Sequence, residues 1–248
     1  MILDYDEYHL STIEKRKLSL AVVLLLAAVS IIFYNTLFPV VFSPLAYILG
    51  IKHLEEILAV KRKNKLLLQF KDFLYSISSS VATGRHMSQA IEEAKVNLRD
   101  IYSDKDLIML EISEMSNRLK KGNQVDSQVL KDFAKRCKLE DVTDFVEIYN
   151  ICKTTGGNLI LAVDKGANII GDKITIENEI RTMTSQKKFE GKIITAMPII
   201  TILFLRMMSP DYLEIMYVTL GGRVLMTFAL LATGLAYLAI ERITTIEV

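Results

Sequence analysis

The chain has 248 residues, of which 51% are hydrophobic and 24% are charged. Thirty basic and 29 acidic residues give a formal net charge of +1, so no overall field attracts a nucleic acid and none is expected as a partner. The mean hydropathy of +0.30 is high for a soluble protein with this much charge. The apolar residues concentrate near both ends, and most of the charge lies between about Lys52 and Lys192.

The first apolar region predicts a transmembrane hairpin over residues 18–51, preceded by a cytoplasmic segment over 1–17. Its arms, about 18–34 and 37–51, are uncharged and separated by Tyr34-Asn35-Thr36. One helix across both arms would be about 50 Å long, whereas a bilayer core is about 30 Å thick. Basic residues flank the hairpin on both sides and its turn has none, which places both ends in the cytoplasm.

Two alternatives to the hairpin stay open. Residues 14–17 resemble the charged start of a signal peptide, with a weak cleavage site near Ala27-Ala28. The second arm could instead be a re-entrant segment broken at Pro39 and Pro44. The basic residues between 61 and 65 are interpreted as the cytoplasmic flank of the hairpin, drawn to anionic lipid.

Residues 52–190 are predicted to form a cytoplasmic bundle of about six helices, because apolar residues recur there at helical spacing and no alternating strand pattern is found. The first helix ends at Gly84, Ser88 caps the second, and the third ends at Gly122. The fifth closes at Gly156-Gly157, and the sixth starts at Asn158 and could continue into the next apolar segment. The predicted fold class is therefore all-α.

The second apolar region predicts two more spans. The third transmembrane helix is placed at 191–208, an extracytoplasmic loop at 209–223, the fourth helix at 224–240 and a cytoplasmic tail at 241–248. Arg206 lies near the far end of the third span, where a long side chain can reach the interface. The prediction is a multi-pass protein of the cytoplasmic membrane with both termini in the cytoplasm.

No pattern in the sequence indicates catalysis, a cofactor or a metal. The segment Lys153-Thr-Thr-Gly-Gly-Asn158 has its lysine before the glycines and so does not match a phosphate loop. His9, His53 and His86 are too scattered for a metal site. Cys137 and Cys152 are interpreted as small core residues, and the acidic pairs Glu140/Asp141 and Glu177/Glu179 as solvated helix faces.

Several short motifs, in order and spacing, resemble the type II secretion system F domain over roughly residues 66–240. They are Gly84-Arg-His-Met-Ser-Gln-Ala90, Gly122, Leu130-x-x-Phe-Ala134, Thr155-Gly-Gly-Asn-Leu159, the segment around Met183 to Lys188, Pro198, Ser209-Pro-Asp-Tyr212 and Thr219-Leu-Gly-Gly222. One such module preceded by a hairpin is similar to the B and C platform proteins of the tight-adherence (Tad) pilus system, and more distantly to the archaeal flagellar membrane platform.

This resemblance implies a nonenzymatic inner-membrane platform subunit of a pilus-assembly or type II-like secretion machine. The implied partners are a separate hexameric secretion ATPase, a second platform protein or further copies of this chain, pilin subunits and membrane lipid. The matching positions are expected to act as helix terminators and packing points. They are Gly84, Ser88, Ala90, Gly122, Gly156, Gly157, Pro198, Pro210 and Gly222.

Two other functional classes remain as alternatives. A membrane-anchored helical scaffold or signalling protein would share the same architecture without the ATPase and pilins. A transporter component is less favoured, because the predicted spans contain isolated serines and threonines but no acidic residue or histidine.

Overall fold

The structure, a computed structural model, describes Tyr5 and residues 9–121 and 124–244. Most of these residues are helical and none is in a strand, which confirms the all-α prediction. The α-helices are α1 (Thr12–Tyr34), α2 (Ser43–Ala82), α3 (Met87–Asn97), α4 (Leu107–Lys121), α5 (Asp126–Cys137), α6 (Glu140–Thr155), α7 (Leu159–Met208), α8 (Pro210–Val218) and α9 (Leu220–Thr244). Short 3-10 helices occupy Phe38–Phe42 and Leu98–Asp100. Gly122 lies outside the described residues.

The chain divides into two compact units. The first, here called the bundle, contains Leu54–Ile176 together with Tyr5 and His9. It consists of parts of α2 and α7 and all of α3 to α6. The second, here called the apolar unit, contains Leu10–His53 and residues 177–244, and so includes α1, α8, α9 and the remaining parts of α2 and α7.

The bundle is held together by an extended hydrophobic core. Phe70 is at its centre, with ring centroids 6.0 Å from Phe73, 5.7 Å from Phe133 and 5.7 Å from Phe145. The buried face of α2 follows the spacing seen in the sequence, and each helix that follows contributes one face in the same way. Further core residues include Leu66, Leu74, Ile77, Ile91, Ala94, Leu98, Ile108, Ile112, Met115, Val129, Leu130, Val142, Val146, Val163 and Ala167.

Local sequence explains most of the helix ends in the bundle. Gly84 follows α2 with φ of 84°, and Gly156 ends α6 with φ of 71°, a left-handed conformation that glycine adopts without steric cost. The Asn158 side chain accepts a hydrogen bond from the Leu161 amide at 3.1 Å and so caps α7. The prediction that Ser88 caps α3 is wrong, because the N-cap is His86 and Ser88 lies inside the helix.

Helix α7 is uninterrupted for 50 residues, a length of about 75 Å at 1.5 Å per residue. The sixth predicted helix and the third predicted span are therefore one element. Pro198 lies inside it, where proline cannot donate the usual backbone hydrogen bond.

Within the described residues, three helices are long and apolar enough to cross a membrane: Thr12–Tyr34, Leu159–Met208 and Leu220–Ile243. The second predicted arm, 37–51, is divided between the 3-10 helix Phe38–Phe42 and the start of α2. Lys52, Glu55 and Glu56 follow it closely, so α2 contains no apolar run of full spanning length. The segment 209–223, expected as a loop, contains α8 and the start of α9.

Candidate functional site

The two glycines after α6 have different structural roles. Gly156 supplies the left-handed turn, as described above. A Cβ on Gly157 would lie 3.2 Å from the Cys152 Cα, so this position is restricted by close approach to the preceding helix. The same stretch was the nearest candidate for a phosphate loop, and here it forms the end of α6 and the cap of α7.

Gly222 is required where α8 meets α9. An added Cβ would lie 2.5 Å from both the Cα and the carbonyl oxygen of Met216, closer than such atoms approach in proteins. Pro210 occupies the first turn of α8, where its missing N–H has no helical partner to lose. Ala90 is fully buried in the bundle. Gly222 and Ala90 are thus constrained by backbone and core packing, and Pro210 by its place at a helix start.

A groove of about 650 Å³ runs beside α3 and the end of α4, and Ser88 is among its lining residues. Its charged groups are paired with one another. Glu92 accepts hydrogen bonds from Ser116 and Lys120, and Glu93 pairs with Arg85. Burial raises the pKa of Glu92, but the two hydrogen bonds outweigh that effect and the pKa is lowered. The groove therefore presents compensated charge rather than a free acid or base.

A buried ion pair lies at the opposite end of α4 from this charge network. Arg136 Nη2 donates to Glu111 Oε2 at 2.6 Å, and the Tyr5 hydroxyl donates to Glu111 Oε1 at 2.8 Å. Tyr5 is fully buried, and the Arg62 guanidinium carbon lies 5.4 Å from the centroid of its ring. Burial, reinforced by the Glu111 carboxylate, raises the pKa of Tyr5. Tyr5 is thus attached to a bundle residue 106 positions away in the chain.

Three of the basic residues at 61–65, namely Arg62, Lys63 and Lys65, are engaged by the bundle. Lys65 Nζ lies 2.7 Å from Asp106 Oδ1, Lys63 Nζ donates to the Lys138 carbonyl at 3.5 Å, and Arg62 stacks on Tyr5 as described above. The sequence interpretation of this run as a membrane flank did not anticipate these contacts, because each partner is distant in the chain.

Asp126, at the start of α5, forms a second polar cluster. It accepts hydrogen bonds from the Tyr149 hydroxyl at 2.9 Å and from Lys153. Burial raises the pKa of Asp126, but the Lys153 and Tyr149 hydrogen bonds dominate, so the carboxyl titrates below its ordinary range. The cluster joins α5 to α6 and holds Asp126 ionised.

The apolar unit contains a polar cluster that links helix ends. Arg206, in the last turn of α7, donates to the Ile31 carbonyl and to Asn35 Oδ1, both at 2.7 Å. The Tyr217 hydroxyl donates to the Ile32 carbonyl at 2.8 Å. Two carbonyls in the last turn of α1 thereby gain partners from α7 and α8. Arg206, interpreted from sequence as an interfacial anchor, here binds the end of another helix.

Other sequence candidates are not brought together. No group of three or more potential metal ligands occurs within Tyr5, 9–121 and 124–244. Both cysteines are free thiols; Cys137 is buried, as predicted, whereas Cys152 is partly exposed. Burial raises the pKa of the Cys137 thiol to about 11. Of the acidic pairs, only Asp141 has a described ionic partner, the Lys173 amine at 3.0 Å.

No protein-family model, curated protein or solved structure matches this chain.

Proposed function

We propose that this chain is a membrane platform subunit of a Tad-like, type IV pilus-like or type II-like secretion machine, and that it couples a separate hexameric secretion ATPase to pilin assembly. The observation that carries the proposal is the helix order. A helical bundle with its own core is formed by the segment between α1 and the apolar part of α7, and α9 follows. The motif positions support a structural role, since Gly84, Gly156 and Gly222 serve turns or close contacts.

In this proposal the bundle is cytoplasmic and receives the ATPase. Helix α7 belongs to the bundle at its start and is apolar at its end, so a displacement of the first part is transmitted along one continuous helix. Energy comes from the partner ATPase, and this chain supplies no catalytic group.

The number of membrane crossings is decisive for this arrangement. With three spans, the N-terminus and the bundle would be separated by α1 alone and would lie on opposite sides of the membrane. A fourth crossing over residues 37–51 keeps them on the same side. A Cβ on Gly50 would lie 4.0 Å from Leu18 Cδ1, so the chain doubles back beside α1. This adjacency supports the proposed hairpin.

Cysteine labelling tests the crossings. Cys152 is a partly exposed natural reporter for the bundle, and a Thr36→Cys variant reports on the turn after α1. We expect a membrane-impermeant maleimide to label Thr36→Cys but not Cys152 in intact cells, and to label Cys152 in inverted vesicles. Labelling of Cys152 from outside intact cells would refute the proposed topology.

Copurification tests the coupling role. When the tagged full chain is crosslinked in the cells that naturally produce it and then purified, a secretion ATPase and pilins should be recovered with it. Leu130→Asp places a charge at a fully buried core position, whereas Ile148→Asp changes a side chain that is 47% exposed. We expect Leu130→Asp to lose the ATPase and Ile148→Asp to retain it. If both variants recover the ATPase equally, the folded bundle is not required for ATPase binding. If the wild-type chain recovers no secretion ATPase, the proposal is overturned and a scaffold function is favoured.

A further inference from the structure

One face of α9 carries an apolar groove of about 470 Å³. Its lining residues are Leu220, Arg223, Val224, Thr227, Phe228 and Leu231. Their spacing along the chain places them on a single face of the helix. Val224, Phe228 and Leu231 are each more than half exposed, with Phe228 at 74%. The surface is thus a strip of uncovered apolar side chains with an arginine near one end.

Arg223 is only partly engaged by the protein. Its Nε donates to the Tyr217 carbonyl at 2.8 Å, and within the described part of the chain this is the only partner of the guanidinium. The N–H groups of its Nη1 and Nη2 atoms therefore have no acceptor among the described residues. Thr227, the other polar lining residue, is already satisfied, because it donates to the Arg223 carbonyl and accepts from the Tyr34 hydroxyl. Among the described residues that line the groove, one is positively charged and none carries a carboxylate.

The start of α9 adds backbone donors beside Arg223. The Gly222 amide donates to the Thr219 hydroxyl and the Arg223 amide to the Thr219 carbonyl, both at 3.1 Å. The preceding amides, of Leu220 and Gly221, belong to the first turn, where no carbonyl within the helix can accept them. Both residues are exposed, and a Cβ on Gly221 would meet nothing within 4 Å. The Arg223 guanidinium thus lies beside an exposed, uncrowded helix start, where its charge can pair with a phosphate group.

The length of the groove matches one leaflet of a bilayer. Leu220 and Leu231 are separated by about 16 Å along the helix axis at 1.5 Å per residue. The hydrocarbon core of a bilayer is about 30 Å thick, so one leaflet contributes about half of that. Because α9 is apolar enough to span a membrane, a phosphate at Arg223 would leave an acyl chain lying along Val224, Phe228 and Leu231.

We propose that this face of α9 is a binding site for one anionic phospholipid. The Arg223 guanidinium binds the phosphate, and the groove binds an acyl chain. An anionic lipid is favoured over a zwitterionic one because no carboxylate lines the groove to pair with a headgroup amine. The inference requires α9 to lie in a membrane, and it is independent of the platform function.

Native mass spectrometry of the full chain in detergent, titrated with phosphatidylglycerol or phosphatidylcholine, tests the site. We expect phosphatidylglycerol to bind more tightly. Arg223→Gln should weaken that binding about fivefold, the effect of one charge near a lipid surface. Arg223→Lys should retain most of the binding, and Val224→Trp should weaken it by filling the groove. Arg242→Gln, which removes a charge from the exposed last turn of the same helix, is the matched control and should bind as the wild type does.

Three results would overturn the proposal. Arg223→Gln could bind phosphatidylglycerol as tightly as the wild type, or Arg242→Gln could lose as much affinity as Arg223→Gln, which would indicate general attraction of lipid to surface charge. Val224→Trp could change the oligomeric state and leave lipid binding unaltered, which would assign the face to a second copy of the chain. Circular dichroism of each variant separates loss of binding from loss of the helical fold.

Discussion

The bundle and the apolar unit place their hydrophobic side chains in opposite ways. In the bundle, large apolar residues such as Phe70, Phe133 and Leu130 are fully buried. In the apolar unit the buried hydrophobic cluster of described residues consists of Phe33, Leu213 and Met226, whereas residues such as Phe204 and Leu235 are at least 60% exposed. The bundle buries its apolar side chains in a core, whereas the apolar unit exposes them, as expected of helices that could span a membrane.

Cohesion differs accordingly between the two units. Burial of apolar area stabilises the bundle, at about 25 cal/mol for each Å² removed from water. Lipid removes most of that driving force, so helix association in a membrane depends on close packing and hydrogen bonds. The apolar unit has both features: Gly222 packs against the Met216 backbone, and Arg206 and Tyr217 bind the end of α1.

The largest expected effect comes from the same substitution made in each unit. Phe133→Ala removes a fully buried ring and should destabilise the bundle by about 3–5 kcal/mol. Phe204→Ala removes a ring that is 60% exposed and should change stability by less than about 0.5 kcal/mol. Denaturant unfolding in detergent, followed by hydrogen exchange in each unit, measures both. Equal losses would break the distinction between a packed unit and a lipid-facing one.

Adjacent glycines test close packing in the apolar unit. Gly222→Ala must displace the Met216 backbone and should cost about 1–3 kcal/mol. Gly221→Ala meets open space and should be neutral or slightly stabilising, since alanine is the better helix former. Thermal unfolding of both variants in detergent provides the comparison. If Gly222→Ala and Gly221→Ala unfold at the same temperature, the close approach of α8 to α9 does not contribute to stability.

The smallest expected effect is a pH dependence confined to the bundle. The folded-state pKa of Asp126 is lowered, so its contribution is present above the ordinary aspartate pKa of about 3.9 and is lost as the pH falls through the folded value. Asp126→Asn should therefore flatten the loss of bundle stability below about pH 4. Denaturant midpoints measured between pH 6 and 3 test this. A variant whose midpoint falls as steeply as that of the wild type would rule out the Asp126 cluster as an acid-sensitive contact.

Sequence patterns predicted the local features well. The apolar residues that recur at helical spacing on α2 include Phe70, Phe73 and Leu74, and all three are fully buried, as that spacing predicts. Gly156 was predicted to end its helix, and it does so in a left-handed conformation. The prediction failed at Ser88, because a capping residue cannot be distinguished by type alone from a serine in the first turn.

The polar contacts at the candidate sites could not have been predicted in this way. Arg206 and Asn35 are separated by 171 positions, and Tyr5 and Glu111 by 106. Residue types and spacing do not reveal such pairings in a single sequence. The motif positions were recognisable, but the groove on α9 was not, because Arg223 was read as part of a loop rather than as the first turn of a helix.

The amino-acid sequence by itself determined the helical class, the segregation of apolar from charged segments and the core face of each bundle helix, because helical periodicity is a property of neighbouring residues. Only the tertiary structure decided that α7 runs unbroken for 50 residues, that Glu111 is buried and bonded to Tyr5, and that Arg206 binds Ile31 and Asn35. Those outcomes depend on contacts between distant segments, whose energies arise only when the whole chain has folded.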